Sequence, residues 1–253
     1  MDELELQLPS PLAELDDERL AVRGVRLFLK RDDLIHPDLP GNKWRKLKYN
    51  LSDAQRMGST QLLTFGGAYS NHIRAVAAAG YHFGFKTVGI IRGEEHLPLN
   101  ESLQYAVDKG MTLTYLDRTS YRDKRNTDLL ERLQSRFGEF YLIPEGGSNV
   151  QAVPGCRELV REIDVDFDVI TCACGTGGTL AGAAAASRSC CVSIVSESND
   201  SPSAHGRRLR WPWRARRRSR GIRAAGPAQL AGSLYRADHR ETSTGWRRNL
   251  SVR

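Results

Sequence analysis

Short apolar runs along this chain alternate with longer segments in which apolar residues recur every three or four positions. The short runs predict buried strands, and the longer segments predict amphipathic helices. From residue 42 to about residue 186 the two kinds of segment alternate, with Gly or Pro between most of them. This alternation is typical of a parallel sheet covered by helices on both faces. We therefore expect an α/β fold.

The same pattern predicts the bounds of the elements. Strands are expected at 21–25, 25–30, 62–65, 86–91, 111–116, 140–143 and 168–172. Helices are expected at 42–58, 71–83 (capped by Ser70), 99–109, 123–137 and 153–163, and from the turn 175–178 onwards. Ligands of open parallel sheets bind where strands run into helices. The Gly-rich turns at 66–70, 146–149 and 175–179 follow strands in this way.

Charge divides the chain near Ser187. Residues 188–253 contain 15 Arg, no Lys and four acidic residues, a net charge of +11, whereas residues 1–187 carry 22 basic and 26 acidic residues, or −4. Leu, Ile, Val and Phe make up nine of the last 66 residues, a proportion typical of disorder. We expect this tail to be an out-of-frame translation of GC-rich DNA. A basic nucleic-acid-binding tail and a divergent domain are the alternatives.

Several classes of protein are excluded at this stage. No window approaches the roughly 18 apolar residues of a membrane span, and the acidic N-terminus is unlike a secretory signal. The five cysteines are clustered late in the chain and match neither a disulfide framework nor a zinc pattern. We expect a cytoplasmic protein without a metal.

The first candidate for chemistry is Lys43, in the sequence GNKWRK at the start of a predicted helix. A cation is unfavourable at a helix N-terminus, which favours a functional role such as a Schiff base with an aldehyde. The alternative is a surface lysine among basic neighbours.

A second candidate is the sequence GGAYSNHIR, 66–74, after a strand. Its glycines allow close approach of a ligand to the backbone. Ser70 and Asn71 begin the next helix, where free N–H groups bind carboxylates. The alternative is a simple helix cap with a solvated His72.

The third candidate is the turn CGTGGT, 174–179, after the strand 168–172. Backbone amides, two hydroxyls and a helix dipole make such a turn a phosphate cradle. It is neither a Walker loop nor a dinucleotide fingerprint. A tight turn without a ligand is the alternative.

Taken in order, the stretches KRDDLIHPDLPGNKWRKL, TFGGAYSNHIRAVAAAG, FYLIPEGGSN and CACGTGGTLAG are similar to those of one enzyme family. The chain resembles the 1-aminocyclopropane-1-carboxylate deaminase / D-cysteine desulfhydrase family, pyridoxal-phosphate enzymes of the tryptophan-synthase-β fold type. The resemblance extends from about residue 28 to residue 186.

The resemblance implies pyridoxal 5′-phosphate as cofactor and a small amino acid as substrate. It implies that Lys43 carries the cofactor and moves protons, and that Ser70 acts as a nucleophile or binds the substrate carboxylate. Asn71 would contact the ring oxygen and, with Tyr69 and His72, the substrate. The phosphate loop would comprise Gly175, Thr176, Gly177, Gly178 and Thr179. A homodimer is implied for intact members.

The chain departs from the family at Tyr69, where Gln is expected, and at His72, where true cyclopropane deaminases tend to carry Gln. We therefore favour a D-cysteine desulfhydrase that yields pyruvate, ammonia and sulfide. The alternatives are a 1-aminocyclopropane-1-carboxylate deaminase, a non-catalytic cofactor-binding remnant and, less favoured, a nucleic-acid binder.

The largest departure is after Ser187, where the family would continue for about 120 residues with a catalytic Tyr and a group facing the pyridine nitrogen. The surroundings of Tyr235 do not match. We expect two three-layer parallel-sheet domains: a small one at 46–150, and a large, incomplete one formed by 1–45 with 151–187. Residues 188–253 are expected to be a disordered tail outside the family pattern. A chain incomplete in this way is expected to be unstable or inactive, because strand edges are left unpaired.

Overall fold

Strands and helices alternate along the chain as the hydrophobic pattern predicts. The computed structural model describes residues 4–186 and 191–195, which lie in one compact unit, Met1–Ser198. The strands are β1 (Leu12–Leu15), β2 (Leu27–Lys30), β3 (Gln61–Gly66), β4 (Lys86–Arg92), β5 (Met111–Leu116), β6 (Tyr141–Ile143), β7 (Val169–Ala173) and β8 (Cys191–Val195). The α-helices are α1 (Glu18–Ala21), α2 (Asn42–Arg56), α3 (Asn71–Phe83), α4 (Glu101–Asp108), α5 (Arg118–Arg122), α6 (Thr127–Phe137), α7 (Ala152–Arg161) and α8 (Gly178–Ala186).

A four-stranded parallel sheet forms the centre of the fold, with strand order β5-β4-β3-β6. Successive β3 side chains enter opposite cores, since side chains alternate across a strand. Leu62 packs with residues of α2 and α3, whereas Leu63 and Phe65 pack with Tyr121 of α5 and Leu129 of α6. The sheet is therefore the middle of three layers, and the expected α/β class is confirmed.

Two smaller sheets complete the described part of the chain. Strands β1 and β2 pair antiparallel, and β7 and β8 pair in parallel. Strand β8 lies beyond Ser187, so the alternation of strand and helix continues to Val195. The remainder of the Arg-rich tail, and Tyr235 within it, lie outside the described residues. The division into two domains stays a prediction.

Glycines allow three helices, α2, α7 and α8, to pack closely against one another. A Cβ atom at Gly155 of α7 would overlap the carbonyl oxygen of Arg45 in α2. A Cβ atom at Gly182 of α8 would similarly overlap Cys156 of α7. Helix α2, which carries Lys43, is therefore held against α7, and α7 against α8.

Two parts of the predicted element pattern were wrong. Residues 21–25 do not form a strand, because α1 ends at Ala21 and a turn follows, and the first strand is Leu12–Leu15. The helix predicted at 123–137 begins only at Thr127, as α6, and a separate short helix, α5, precedes it at Arg118–Arg122. The Asn126 side chain accepts a hydrogen bond from the backbone N–H of Asp128. This N-cap starts a new helix after a break.

No helix in the described ranges is long and apolar enough to cross a bilayer.

Candidate functional site

A cavity of about 280 Å³ lies where the carboxyl ends of β3, β6 and β7 meet the N-terminus of α2. Its lining includes residues from all three motifs found in the sequence: Asn42, Lys43, Lys46, Ser70, Asn71, His72, Glu145, Gly146, Ala173, Cys174, Gly175, Thr176, Gly177, Thr179 and Leu180. Segments separated by more than 100 positions in sequence therefore share one pocket. Its position at strand ends is the one expected for a ligand site in a parallel sheet.

Lys43 lies in the first turn of α2 and faces this cavity. Its Nζ donates a hydrogen bond to Asn42 Oδ1 over 2.8 Å, and Asn42 Nδ2 donates to Thr179 Oγ1 over 2.7 Å. Burial, and then the charge of Lys46, lower the pKa of Lys43 to about 8. A substantial fraction of this amine is neutral near pH 8, as a nucleophilic lysine requires. Lys43 is not the solvated surface lysine of the alternative interpretation.

Lys46 is a second lysine of the cavity, and the sequence analysis missed it. Its side chain is only 3% exposed, and burial lowers its pKa. The Nζ atom donates to the Gly146 carbonyl oxygen (3.0 Å), Ser148 Oγ (3.2 Å) and Thr176 Oγ1 (3.4 Å). The spacing of three residues from Lys43 was the available signal, since residues i and i+3 share a helix face.

The Gly-rich turn 174–179 forms the wall of the cavity opposite α2. Thr176 Oγ1 and Ser148 Oγ are 2.5 Å apart, and Gly177 has a positive φ of 81°. A Cβ atom at Gly178 would lie 2.6 Å from Ser148 Oγ and 3.2 Å from Lys46 Cε. A hydroxyl, a cation and the N-terminus of α8 therefore converge on one small space. Such a donor set suits an anionic group, and phosphate fits it.

Ser70 caps α3, as the sequence predicted. Its Oγ accepts from the backbone N–H groups of His72 (3.2 Å) and Ile73 (3.3 Å). Ser70 and Asn71 both line the cavity, whereas Tyr69 is 80% exposed and is not among its lining residues. The structure thus brings together every predicted site residue except Tyr69 and Gly178. Gly178 packs closely against Ser148 and Lys46.

His72 is buried, with 3% exposure, and is not solvated. The Thr64 hydroxyl donates to the Ile143 carbonyl oxygen over 2.8 Å and lies 2.9 Å from His72 Nε2. Because a hydroxyl has one proton, Thr64 accepts from His72, which places the imidazole proton on Nε2. Burial, and then the charges of Lys43 and Lys46, lower the pKa of His72 to about 3. The ring is neutral at physiological pH.

Glu145 adds a carboxylate to the cavity lining that the sequence analysis did not single out. Tyr121 Oη donates to its Oε1 over 3.0 Å, and Lys124 Nζ lies 3.2 Å from its Oε2. The carboxylate is therefore held by two groups from outside the cavity.

A buried ion network fixes the start of α2. Arg45 is 1% exposed and donates to both carboxylate oxygens of Asp32 and to both of Glu162. Lys30 pairs with Glu162 as well, at 2.9 Å. These pairs join β2, α2 and α7, and removing one partner of a buried pair is costly. The network thus holds in place the N-terminal part of α2, which carries Lys43 two residues before Arg45.

The parallel-sheet fold and the cavity at its strand ends indicate an enzyme, and a comparison with known protein families agrees. The sequence profile described as "Pyridoxal-phosphate dependent enzyme" matches residues 4–243. The chain belongs to this family, whose cofactor is pyridoxal phosphate.

Two relatives show which members of the family this chain is similar to. A protein of Thermotoga maritima named "Putative 1-aminocyclopropane-1-carboxylate deaminase" is 37% identical over 185 residues, which cover 70% of this chain and 58% of the relative. The Arabidopsis thaliana "Bifunctional D-cysteine desulfhydrase/1-aminocyclopropane-1-carboxylate deaminase, mitochondrial" is 32% identical over 193 residues, covering 69% and 48%. The chain thus spans about half the length of these relatives.

A solved structure described as an "ACC deaminase homologue" superposes with a TM-score of 0.62 at 29% identity, over 72% of this chain and 57% of that one. The fold expected from the sequence, that of the tryptophan-synthase-β type of pyridoxal-phosphate enzymes, is confirmed.

Proposed function

We propose that this protein binds pyridoxal phosphate through Lys43 and acts as a lyase or deaminase on a small amino acid, with D-cysteine desulfhydrase activity. The observation that carries the proposal is the placement of Lys43 and Lys46, one helical turn apart, opposite the Gly-rich turn 174–179. Lys43 is positioned to bind an aldehyde, and Lys46 is positioned to bind an anion. Pyridoxal phosphate carries both groups.

When bound, the cofactor supplies an electron-accepting ring that stabilises negative charge at the substrate α-carbon. The Lys43 amine would hold the cofactor covalently and, once released, move a proton at that carbon. The phosphate would be bound by Lys46 Nζ, by Thr176 Oγ1 and by the backbone amides of Gly175, Gly177 and Gly178. Thr179 would hold the loop in place because its hydroxyl accepts a hydrogen bond from Asn42.

The substrate side of the cavity would be formed by the start of α3. Ser70 Oγ and the free N–H groups of that first turn suit a substrate carboxylate, and Asn71 suits the ring oxygen. His72, neutral and hydrogen-bonded to Thr64, would keep this turn in place without adding charge. Tyr69 points to solvent and would reach substrate only at the rim. Ring opening of 1-aminocyclopropane-1-carboxylate is the second candidate activity, supported by the names of the relatives.

The proposal also covers the cellular location and the oligomeric state of the protein. Cys156, Cys172 and Cys174 are free thiols, which suits a reducing cytoplasm. We propose a cytoplasmic homodimer that does not bind nucleic acid.

Spectroscopy and product analysis test the proposal on the full chain. After incubation with pyridoxal phosphate, we expect absorbance near about 410–420 nm, and borohydride reduction should fix the label on Lys43, as located by mass spectrometry. Lys43→Ala should lose the band, whereas Lys48→Ala should keep it. D-cysteine should yield pyruvate and sulfide, and 1-aminocyclopropane-1-carboxylate should yield a four-carbon ketoacid if the second activity is present.

The possible results separate binding from catalysis. A band that survives in Lys43→Ala contradicts the assignment of Lys43. If the band depends on Lys43 but neither substrate yields a ketoacid, the chain is a cofactor-binding remnant, and the proposed catalytic function is wrong.

A further inference from the structure

A cluster of His36, Asp38 and His82 lies outside the cavity and is not used by the proposed function. His36 and Asp38 lie in the segment that enters α2, and His82 lies in the last turn of α3. One potential ligand atom from each lies within 4.8 Å of the other two, and all three residues are partly buried. It is the only such group of His, Cys, Asp or Glu within the described ranges. We propose that these three side chains bind a divalent transition-metal ion, Zn²⁺ by chemical preference.

The side chains are held in positions that suit a metal. His36 Nδ1 accepts the backbone N–H of Asp38 over 3.1 Å, so Nδ1 carries the lone pair that a ligand needs and the neutral ring holds its proton on Nε2. A metal bound at Nδ1 would replace this hydrogen bond. Asp38 Oδ1 accepts from Tyr105 Oη over 2.6 Å, which orients the carboxylate with Oδ2 toward His82. Hydrogen bonds of this kind to ligand residues set the geometry of many metal sites.

One pair of candidate ligand atoms is spaced almost as in a zinc site, and all three lie within 4.8 Å of one another. His82 Nε2 lies 2.8 Å from Asp38 Oδ2. Ligand bonds of about 2.0–2.1 Å at tetrahedral angles place neighbouring ligand atoms roughly 3.3 Å apart. A shift of about half an ångström therefore admits the ion between them. Two imidazoles and one carboxylate are ligands of borderline character, which suits Zn²⁺ better than Ca²⁺ or Mg²⁺, and solvent would supply the fourth ligand.

Lys109 is the competing cation. Its Nζ lies 3.1 Å from Asp38 Oδ2, and it must leave when the metal binds. The same ammonium also lies 4.3 Å from the centre of the Tyr81 ring, a cation–π contact that does not require Asp38. Binding thus exchanges one cation for another at Asp38. The ion would link the segment before α2 to the last turn of α3. The first turn of α3 lines the cavity.

The test is a titration of the untagged, chelator-treated full chain with Zn²⁺ and, separately, with Co²⁺ at pH 7.5. We expect one ion per chain and visible Co²⁺ absorption without a thiolate charge-transfer band, because the site has no sulfur ligand. His36→Asn and His82→Asn should each weaken binding at least about tenfold. The matched control His96→Asn, at an exposed histidine, should leave the affinity unchanged. Lys109→Met should tighten binding, since the competing ammonium is removed.

Other outcomes overturn the proposal. These are a dissociation constant above about 100 µM in the unmodified protein, a thiolate band, equal losses in the three histidine variants, or unchanged or weaker binding in Lys109→Met. The Co²⁺ spectrum of the unmodified chain decides the ligand type even if a variant fails to fold. The outcome is independent of whether Lys43 binds pyridoxal phosphate.

Discussion

Lys46 Nζ donates a hydrogen bond to the carbonyl oxygen of Gly146 over 3.0 Å, across 100 residues of sequence. This contact joins α2 to the turn after β6, and the same ammonium reaches Thr176 in the Gly-rich turn after β7. One buried cation therefore connects three walls of the cavity. These partners are neutral oxygens that leave the ammonium charge uncompensated, so an anionic ligand would be favoured beside it.

Replacing Lys46 should therefore weaken cofactor binding more than it weakens the fold. Lys46→Met keeps the buried stem and removes the charge, and a lost charge-assisted hydrogen bond of about 1.5–3 kcal/mol corresponds to roughly a ten- to hundredfold change. Fluorescence titration with pyridoxal phosphate measures the affinity. Lys48→Met is the control, because Lys48 pairs with Glu158 and is not among the lining residues. Unchanged affinity in Lys46→Met would show that the phosphate lies elsewhere.

The rate of cofactor attachment should report the pKa of Lys43. That pKa is lowered to about 8 by burial and by Lys46, so the neutral amine, and the rate, should rise with pH through a midpoint near 8. Stopped-flow absorbance on the apoprotein follows the reaction. In Lys46→Met the midpoint should move upward, since one repelling charge is gone. A rate that keeps rising through pH 10, as for an exposed lysine, would contradict the burial of Lys43.

His72 should make the protein sensitive to mild acid. Its folded-state pKa is lowered to about 3, whereas an unfolded histidine has a pKa of about 6.5. The unfolded state therefore takes up a proton first, and stability is lost as pH falls below about 6.5 toward 3. At pH 5 the uptake of this proton by the unfolded state lowers the free energy of unfolding by about 2 kcal/mol.

His72→Gln keeps a donor for Thr64 and cannot titrate, so it should lose less stability than the unmodified protein between pH 7 and pH 5. Urea unfolding at the two pH values measures the difference. The exposed variant His96→Gln should behave like the unmodified chain. If His72→Gln loses the same stability on acidification, another group causes the effect.

Gly155→Ala should destabilise the fold although alanine favours helices. The added Cβ would overlap the Arg45 carbonyl oxygen, and overpacking of about 1–3 kcal/mol outweighs the gain in helix propensity of about 1 kcal/mol. Gly175→Ala is the matched control for stability, since no heavy atom lies within 4 Å of its Cβ position. Chemical denaturation midpoints measure both variants. Equal midpoints would show that α7 and α2 can move apart without cost.

The sequence alone determined the α/β class, most element bounds and the family. Helix α3 illustrates the reason, because its Ser70 cap and its C-terminal Gly84 are local signals. The start of α6 at Thr127, four residues later than predicted, was missed because only the Asn126 cap marks it. The three motifs were each visible, because Gly-rich turns after strands have a recognisable composition.

Only the tertiary structure decided which side chains share the cavity and in what state. Lys46 and Glu145 were missed because their roles depend on partners about 20 to 130 positions away. His72 was predicted to bind substrate, with a solvated side chain as the alternative, but packing against β3 buries it and makes it neutral. Tyr69, one position from Ser70, was expected in the pocket and faces solvent. Charge, burial and pKa are set by neighbours in space, whereas the sequence orders neighbours only along the chain.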